Sequence, residues 1–166
     1  MSMPSSNFHL VCGYAASGKS TLAKQLVQAH GAVVLSEDQL LSALYADELQ
    51  GLADYLRCTR RLRAAIGPHV VALLQAGQAV VMDFAANTVE ARRWLIGLAQ
   101  QAEVQATLHH LTVPKQVCWQ RALARNQAGH HEFQLSQDQF EQLASRFEPP
   151  DATEGFALVW HQTESL

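Results

Sequence analysis

The chain is short of cysteine, of asparagine and of charge, and it has no long apolar run. Its three cysteines, Cys12, Cys58 and Cys118, share no C-x-x-C spacing, and an odd number cannot all pair. A disulfide framework is therefore excluded and a reducing cytosol is the expected compartment. No apolar stretch approaches the roughly 20 residues needed to span a bilayer. The N-terminal MSMPSSNFHLVCG lacks the basic start and apolar core of a secretory signal, so a cytoplasmic protein with no membrane partner is expected. Charged residues are 16% and the formal net charge is −3, which leaves no bulk positive field to recruit nucleic acid. The only asparagines are Asn7, Asn87 and Asn126, and none precedes a lysine, so the Asn-Lys-x-Asp signal that reads guanine is absent. Eight histidines show no H-x-x-x-H or Cys/His spacing for zinc. They are read as packing or surface residues, with His109-His110 pointing to opposite faces of a strand and His130-His131 in a loop.

What remains is a globular composition, 48% hydrophobic in 166 residues, enough for one domain with a real core. Short apolar runs alternate with amphipathic stretches. Strands are expected at Phe8 to Cys12, Ala32 to Leu35, Ala79 to Asp83, Val104 to Leu111 and Phe156 to His161. Helices are expected at Lys19 to His30, Glu37 to Tyr45, Asp54 to Ala76, from Asn87 through Leu98, from Pro114 to about Asn126, and from Ser136 toward Phe147. Gly67-Pro68 should kink or split the third of these. Asn87 with Glu90 and Ser136 with Gln139 read as capping boxes. Trp94, Trp119 and Trp160 read as core or half-buried packing. This order implies a three-layer α/β fold with a mainly parallel five-stranded sheet covered on both faces.

Gly13 to Thr21 reads GYAASGKST, a full match to G-x-x-x-x-G-K-[ST] between a strand and a helix. Chance supplies such a match in about one chain of this length in two hundred. Each part has a task. Glycines let the loop curl so that amide N–H groups, from Gly13 and Ala16 through Ser17, Gly18, Lys19, Ser20 and Thr21, face phosphate oxygens. The following helix adds its positive end. Lys19 reaches the β- and γ-phosphates, and Ser20 ligates Mg²⁺. Asp83 ends a strand at the sheet edge where ligands sit, placed to hold a Mg²⁺-bound water or an acceptor hydroxyl. It is followed by Phe84 rather than by a water-activating Glu, which favours transfer over hydrolysis.

Five segments in order, GYAASGKST, AVVLSEDQL, VVMDFAANTVEARR, VCWQRALARN and SRFEPP, together resemble the small P-loop kinases. That family includes zeta toxins, chloramphenicol phosphotransferase and the kinase domain of polynucleotide kinases, and the resemblance covers nearly the whole chain. It implies a P-loop NTPase fold of nucleoside-kinase-like type, one domain over 1–166 with a lid region at about 114–136, and ATP with Mg²⁺ as cofactors. It implies transfer of the γ-phosphoryl group to a hydroxyl of a small-molecule acceptor. By the same resemblance Asp38 is the base, with Glu37 as its alternative. Arg121 and Arg125 are lid arginines that stabilise charge on the moving phosphoryl group. Arg92 and Arg93 follow the DFAANT turn; one is expected to pair locally and one, Arg92, to face the acceptor. The chain departs from the polynucleotide kinase pattern at Leu41, where those kinases carry an arginine for the acceptor nucleotide, which argues against a nucleic-acid acceptor. A cluster at Arg57, Arg60, Arg61 and Arg63 offers either a solvated face or an anionic contact. The competing readings are a kinase for 5′-hydroxyl nucleic acid or a nucleotide sugar, a non-catalytic ATP-binding switch, and a slow ATPase.

Overall fold

The computed structural model describes residues 6–129 and 134–162. His130 and His131 lie outside them. Five strands form one sheet in the order β2-β3-β1-β4-β5, and every pairing is parallel. The strands are β1 (Phe8–Cys12), β2 (Val33–Ser36), β3 (Val80–Ala85), β4 (Ala106–Leu111) and β5 (Ala157–His161). The helices are α1 (Lys19–His30), α2 (Glu37–Tyr45), α3 (Leu52–Gln75), α4 (Val89–Ala102), α5 (Lys115–Ala128) and α6 (Gln137–Ser145).

Alternation along each strand sorts the core onto two faces. Phe8, Leu10, Val80, Met82, Phe84, Ala106 and Leu108 meet α3 and α4 in the main core. Val11 and Val81 point the other way and pack on Ala23 and Leu26 of α1. The crossovers that follow β1 and β3 therefore run in opposite directions across the sheet, with α1 on one face and α4 on the other. The crevice beyond the carboxyl ends of two such strands is the usual ligand position in α/β sheets. A third small cluster, Val113, Cys118, Ala122 and Phe140, joins α5 and α6 and packs on Tyr14, Ala15 and Ala16. The two late helices thus rest on the loop after β1.

Several local expectations change. Gly67-Pro68 does not split α3, which is continuous through Pro68. The proline ring lies on the exposed side, and a single missing ladder bond does not outweigh packing along both flanking halves. β3 runs two residues past Asp83, so that carboxylate sits inside the strand, opposite Ser36. The cap of α4 is Thr88, whose side chain accepts from Ala91 N–H; Asn87 does not cap it. Ser136 and Gln139 do form the reciprocal capping box. Trp160 is 56% exposed on edge strand β5 rather than packed in the core. The three cysteines are free and buried. No helix among the described residues is long and apolar enough to cross a membrane.

Candidate phosphate-binding site

The loop from Gly13 to Gly18 leaves β1 and enters α1. Gly13 has φ 156°, and a Cβ there would stand 2.6 Å from Ser17 Oγ and 3.1 Å from the Leu111 carbonyl, so only glycine fits. Gly18 caps α1 in the left-handed region at φ 100°. Ala16 is also left-handed, at φ 64°, an unusual conformation for a residue with a Cβ. Within the loop, Ser17 N–H donates to the Tyr14 carbonyl at 3.1 Å. Lys19 Nζ donates to the carbonyls of Gly13 and Tyr14 at 2.8 and 2.7 Å. Burial lowers the Lys19 pKa, while the charges of Asp83 and, more weakly, Asp38 hold it up. Thr21 follows, exposed, in the first turn of α1.

Ser20 Oγ donates to Asp83 Oδ2 at 2.8 Å. Two hard oxygen donors at the mouth of the loop suit Mg²⁺, which takes one or two protein oxygens and keeps much of its water. Asp38 is exposed in the first turn of α2, and Ser36 caps that turn by accepting from Gln39 N–H. Arg125 is half-buried on α5; burial pulls its pKa down and Asp38 opposes that shift. Both Arg121 and Arg125 act on the Cys118 thiol, as Lys19 does. Lys19, Arg121 and Arg125 thus all bear on one thiol, with Arg121 the more exposed of the two arginines.

Arg92 goes elsewhere. It is fully buried, and its guanidinium donates to Glu154 Oε1 at 2.9 Å and to the carbonyls of Ala86, Glu148 and Pro149 at 3.0, 2.9 and 3.4 Å. Those donors tie α4 to the segment after α6, so Arg92 is the arginine that pairs locally and Arg93 the exposed one. Three of the four clustered arginines on α3 are likewise engaged. Arg57 pairs with Asp54 at 2.6 Å and Glu48 at 3.3 Å, Arg61 lies 3.9 Å from Glu48, and Arg63 lies 3.8 Å from Glu37.

Asn87, which the sequence reads as a cap, instead holds the first glycine of the loop. Its Oδ1 accepts from Gly13 N–H at 2.9 Å and its Nδ2 donates to the Gly13 carbonyl at 2.7 Å. One amide thereby grips both backbone groups of the first loop glycine. Asn before a helix reads as a cap in any sequence, so no local signal could have separated the two roles. Glu37 is buried, accepts from Tyr55 Oη at 3.0 Å, and has its pKa raised by that burial against the opposing pull of Arg63.

A cavity of about 260 Å³ lies beside the loop, lined by Gly13, Tyr14, His110, Leu111, Thr112, Val113, Pro114 and Phe147. It is smaller than the roughly 300–1,000 Å³ of typical small-molecule sites, and neither Asp38 nor Asp83 lines it.

Comparison with known proteins places this geometry. A family model described as an AAA domain (AAA_33) matches residues 8–150. A curated relative, the bifunctional polynucleotide phosphatase/kinase of Schizosaccharomyces pombe, is 27% identical over 150 residues, covering 90% of this chain and 32% of its own. The chain thus spans about a third of that relative's length. Kti12 of Chaetomium thermophilum, solved with ADP-AlF3, superposes with a TM-score of 0.72 at 19% identity, covering 93% of this chain and 88% of its own. The APS kinase of Mycobacterium tuberculosis, solved with AMPPNP and APS, gives 0.59 at 23% identity, covering 95% and 90%. At these identities the solved structures establish a shared fold.

Proposed function

The chain belongs to the AAA_33 family of AAA domains and has a kinase-like P-loop fold, and from that premise we propose that it moves the γ-phosphoryl group of Mg·ATP to a hydroxyl of a small-molecule acceptor. The observation that carries this reading is the 2.8 Å contact of Ser20 with Asp83, with Asp38 and Arg125 sharing the field of the loop lysine. Amide N–H groups of the loop up to Thr21 cradle the phosphates, those of Gly13 and Ser17 excepted, since Asn87 Oδ1 and the Tyr14 carbonyl already accept from them. Lys19 exchanges its two carbonyl partners for phosphate oxygens. Ser20 and Asp83 would hold Mg²⁺, which when bound neutralises charge between the β- and γ-phosphates. Asp38 accepts the proton of the acceptor hydroxyl as that oxygen bonds to the γ-phosphorus; the bond to the β–γ bridging oxygen breaks and ADP leaves with its electron pair. Arg121 and Arg125, on α5 in the proposed lid at about 114–136, of which residues 130–133 lie outside the described ones, stabilise the equatorial charge. The three buried free cysteines accord with a cytosolic setting.

The test is thermal stabilisation by Mg·ATP in wild type and in Lys19→Ala, followed by transfer of label from γ-labelled ATP. Equal stabilisation of both proteins would remove the site assignment. A second reading, phosphorylation of a nucleic-acid 5′-hydroxyl, draws on the printed name of the curated relative. Against it, position 41 is a fully buried leucine. Saturable phosphorylation of 5′-hydroxyl oligonucleotides would establish that second reading.

A further inference from the structure

Helix α3 presents a polar strip that the transfer steps above do not use. Tyr55, Thr59 and Arg63 follow at four-residue spacing and so share one side of the helix. That side meets Glu37, the first residue of α2 and the sequence neighbour of Asp38. Tyr55 Oη donates to Glu37 Oε1 at 3.0 Å. The Arg63 guanidinium stops 3.8 Å from Glu37 Oε2, within ion-pair range but beyond a hydrogen bond. Trp94 backs that guanidinium, with the ring centroid 5.0 Å away.

Where this strip meets α2, three buried polar atoms have no hydrogen-bond partner among the described residues: Glu37 Oε2, Thr59 Oγ1 and Arg63 Nε. Glu37 and Thr59 are each only 6% exposed. A buried polar group left unpaired costs about 1–3 kcal/mol, and such groups are few in native proteins and call for a reason. Three on one strip, beside the proposed base, point to a ligand that brings the missing partners.

The donor and acceptor set defines that ligand. Glu37 Oε2 can accept, Arg63 Nε can donate, and Thr59 Oγ1 can do either. A hydroxyl meets all three, since it donates and accepts at one oxygen. Phosphate and carboxylate only accept, and they would stand near Asp38 and Asp83, both of which act electrostatically on the Glu37 carboxyl. The strip itself holds one acid and one base, so it offers a net anion no charge advantage.

We propose that Glu37, Tyr55, Thr59 and Arg63 form the acceptor pocket and that the acceptor is an uncharged, polyhydroxylated molecule. One of its hydroxyls seats among Glu37, Thr59 and Arg63 while another is presented to Asp38. This rests on the kinase reading above. The transfer itself is unchanged: the presented oxygen gains the phosphoryl group and loses its proton to Asp38.

Glycerol, ribitol, D-ribose and myo-inositol serve as neutral probes, D-gluconate as a carboxylated one and a 5′-hydroxyl oligothymidylate as a nucleic-acid one, each with γ-labelled ATP. A neutral polyol is expected to be labelled. Thr59→Val should raise its KM about tenfold or more with the KM for ATP unchanged, because one hydroxyl partner is lost in the complex. Thr59→Val should not lower the melting temperature, since the hydroxyl it removes has no partner in the free protein. Arg63→Met, with the same KM readout, is the second variant. Labelling of gluconate or the oligonucleotide alone overturns the polyol pocket and leaves the kinase reading standing. So does a polyol KM that Thr59→Val leaves unmoved, or a loss of folding in that variant. If no probe is labelled the pocket is overturned, and if a whole metabolite extract is also unlabelled the kinase reading falls with it.

Discussion

Four imidazoles line the α1 side of the sheet, and they make acid stability the sharpest quantitative test of the fold. His9 Nδ1 and His109 Nε2 are 3.1 Å apart, and His109 Nδ1 and His161 Nε2 are 3.0 Å apart. His30 of α1 stacks on His9 at 4.3 Å between ring centroids. His9 and His109 are only 4% and 7% exposed. Burial, reinforced by repulsion from His30, lowers the His9 pKa to about 4. Burial, reinforced by His9 and His161, lowers that of His109 to about 4 as well. Both folded-state values lie below the 6.5 of a free imidazole. Between about pH 6.5 and 4 the unfolded chain therefore binds more protons than the folded one, and stability falls as pH falls through that window. At pH 5 the loss is about 2 kcal/mol per ring and about 4 for the pair, a large part of the roughly 5–15 kcal/mol that holds a domain folded. Urea unfolding at pH 7 and pH 5, in wild type and in a His9→Phe/His109→Leu double variant, isolates this from the titration of carboxylates. Wild type should lose on the order of 4 kcal/mol more than the variant. A difference below about 1 kcal/mol, or an NMR titration that puts either ring above pH 6, would refute the reasoning.

Other outcomes follow from the same contacts. Asn87→Ala removes both hydrogen bonds to Gly13; it should cost about 1–3 kcal/mol in chemical denaturation and weaken Mg·ATP in calorimetry by about tenfold. Arg92→Met strands Glu154 and three carbonyls, and about 3–5 kcal/mol of stability should be lost. If Arg92→Lys instead folds with full stability and shows only a raised acceptor KM, Arg92 belongs to the acceptor site after all. Ser20→Ala should shift the Mg²⁺ dependence of turnover to higher concentration, and an unchanged Mg²⁺ titration would break the Ser20–Asp83 assignment. Asp38→Asn should lower kcat by about 10²–10⁴ with little change in ATP affinity; retention of full kcat would end its role as base.

Much of the fold was legible because it is written locally. The bounds of β1, α1 and α2 follow from an apolar run, a left-handed glycine at each end of α1, and Ser36 as a cap. The α6 capping box was likewise visible in four residues. Pro68 reads as a break from its sequence neighbours. Asn87 reads as a cap in the same way, and Arg92 as a substrate arginine through the family resemblance. Their actual partners are distant: Gly13 lies 74 residues from Asn87, and Glu154 lies 62 from Arg92. Glu37 and Asp38 are equivalent in sequence, yet burial against Tyr55 and Arg63 gives Glu37 a different environment from Asp38 one residue away.

The phosphate-loop motif is legible in the sequence alone, since nine contiguous residues carry the turn, the amides, the lysine and the hydroxyl. Tertiary structure decided who meets whom around it: Ser20 with Asp83 across 63 residues, Asn87 on Gly13, and the α3 strip on Glu37. Periodicity tells which side of an element is buried, but only packing of the whole chain selects the neighbour that buries it.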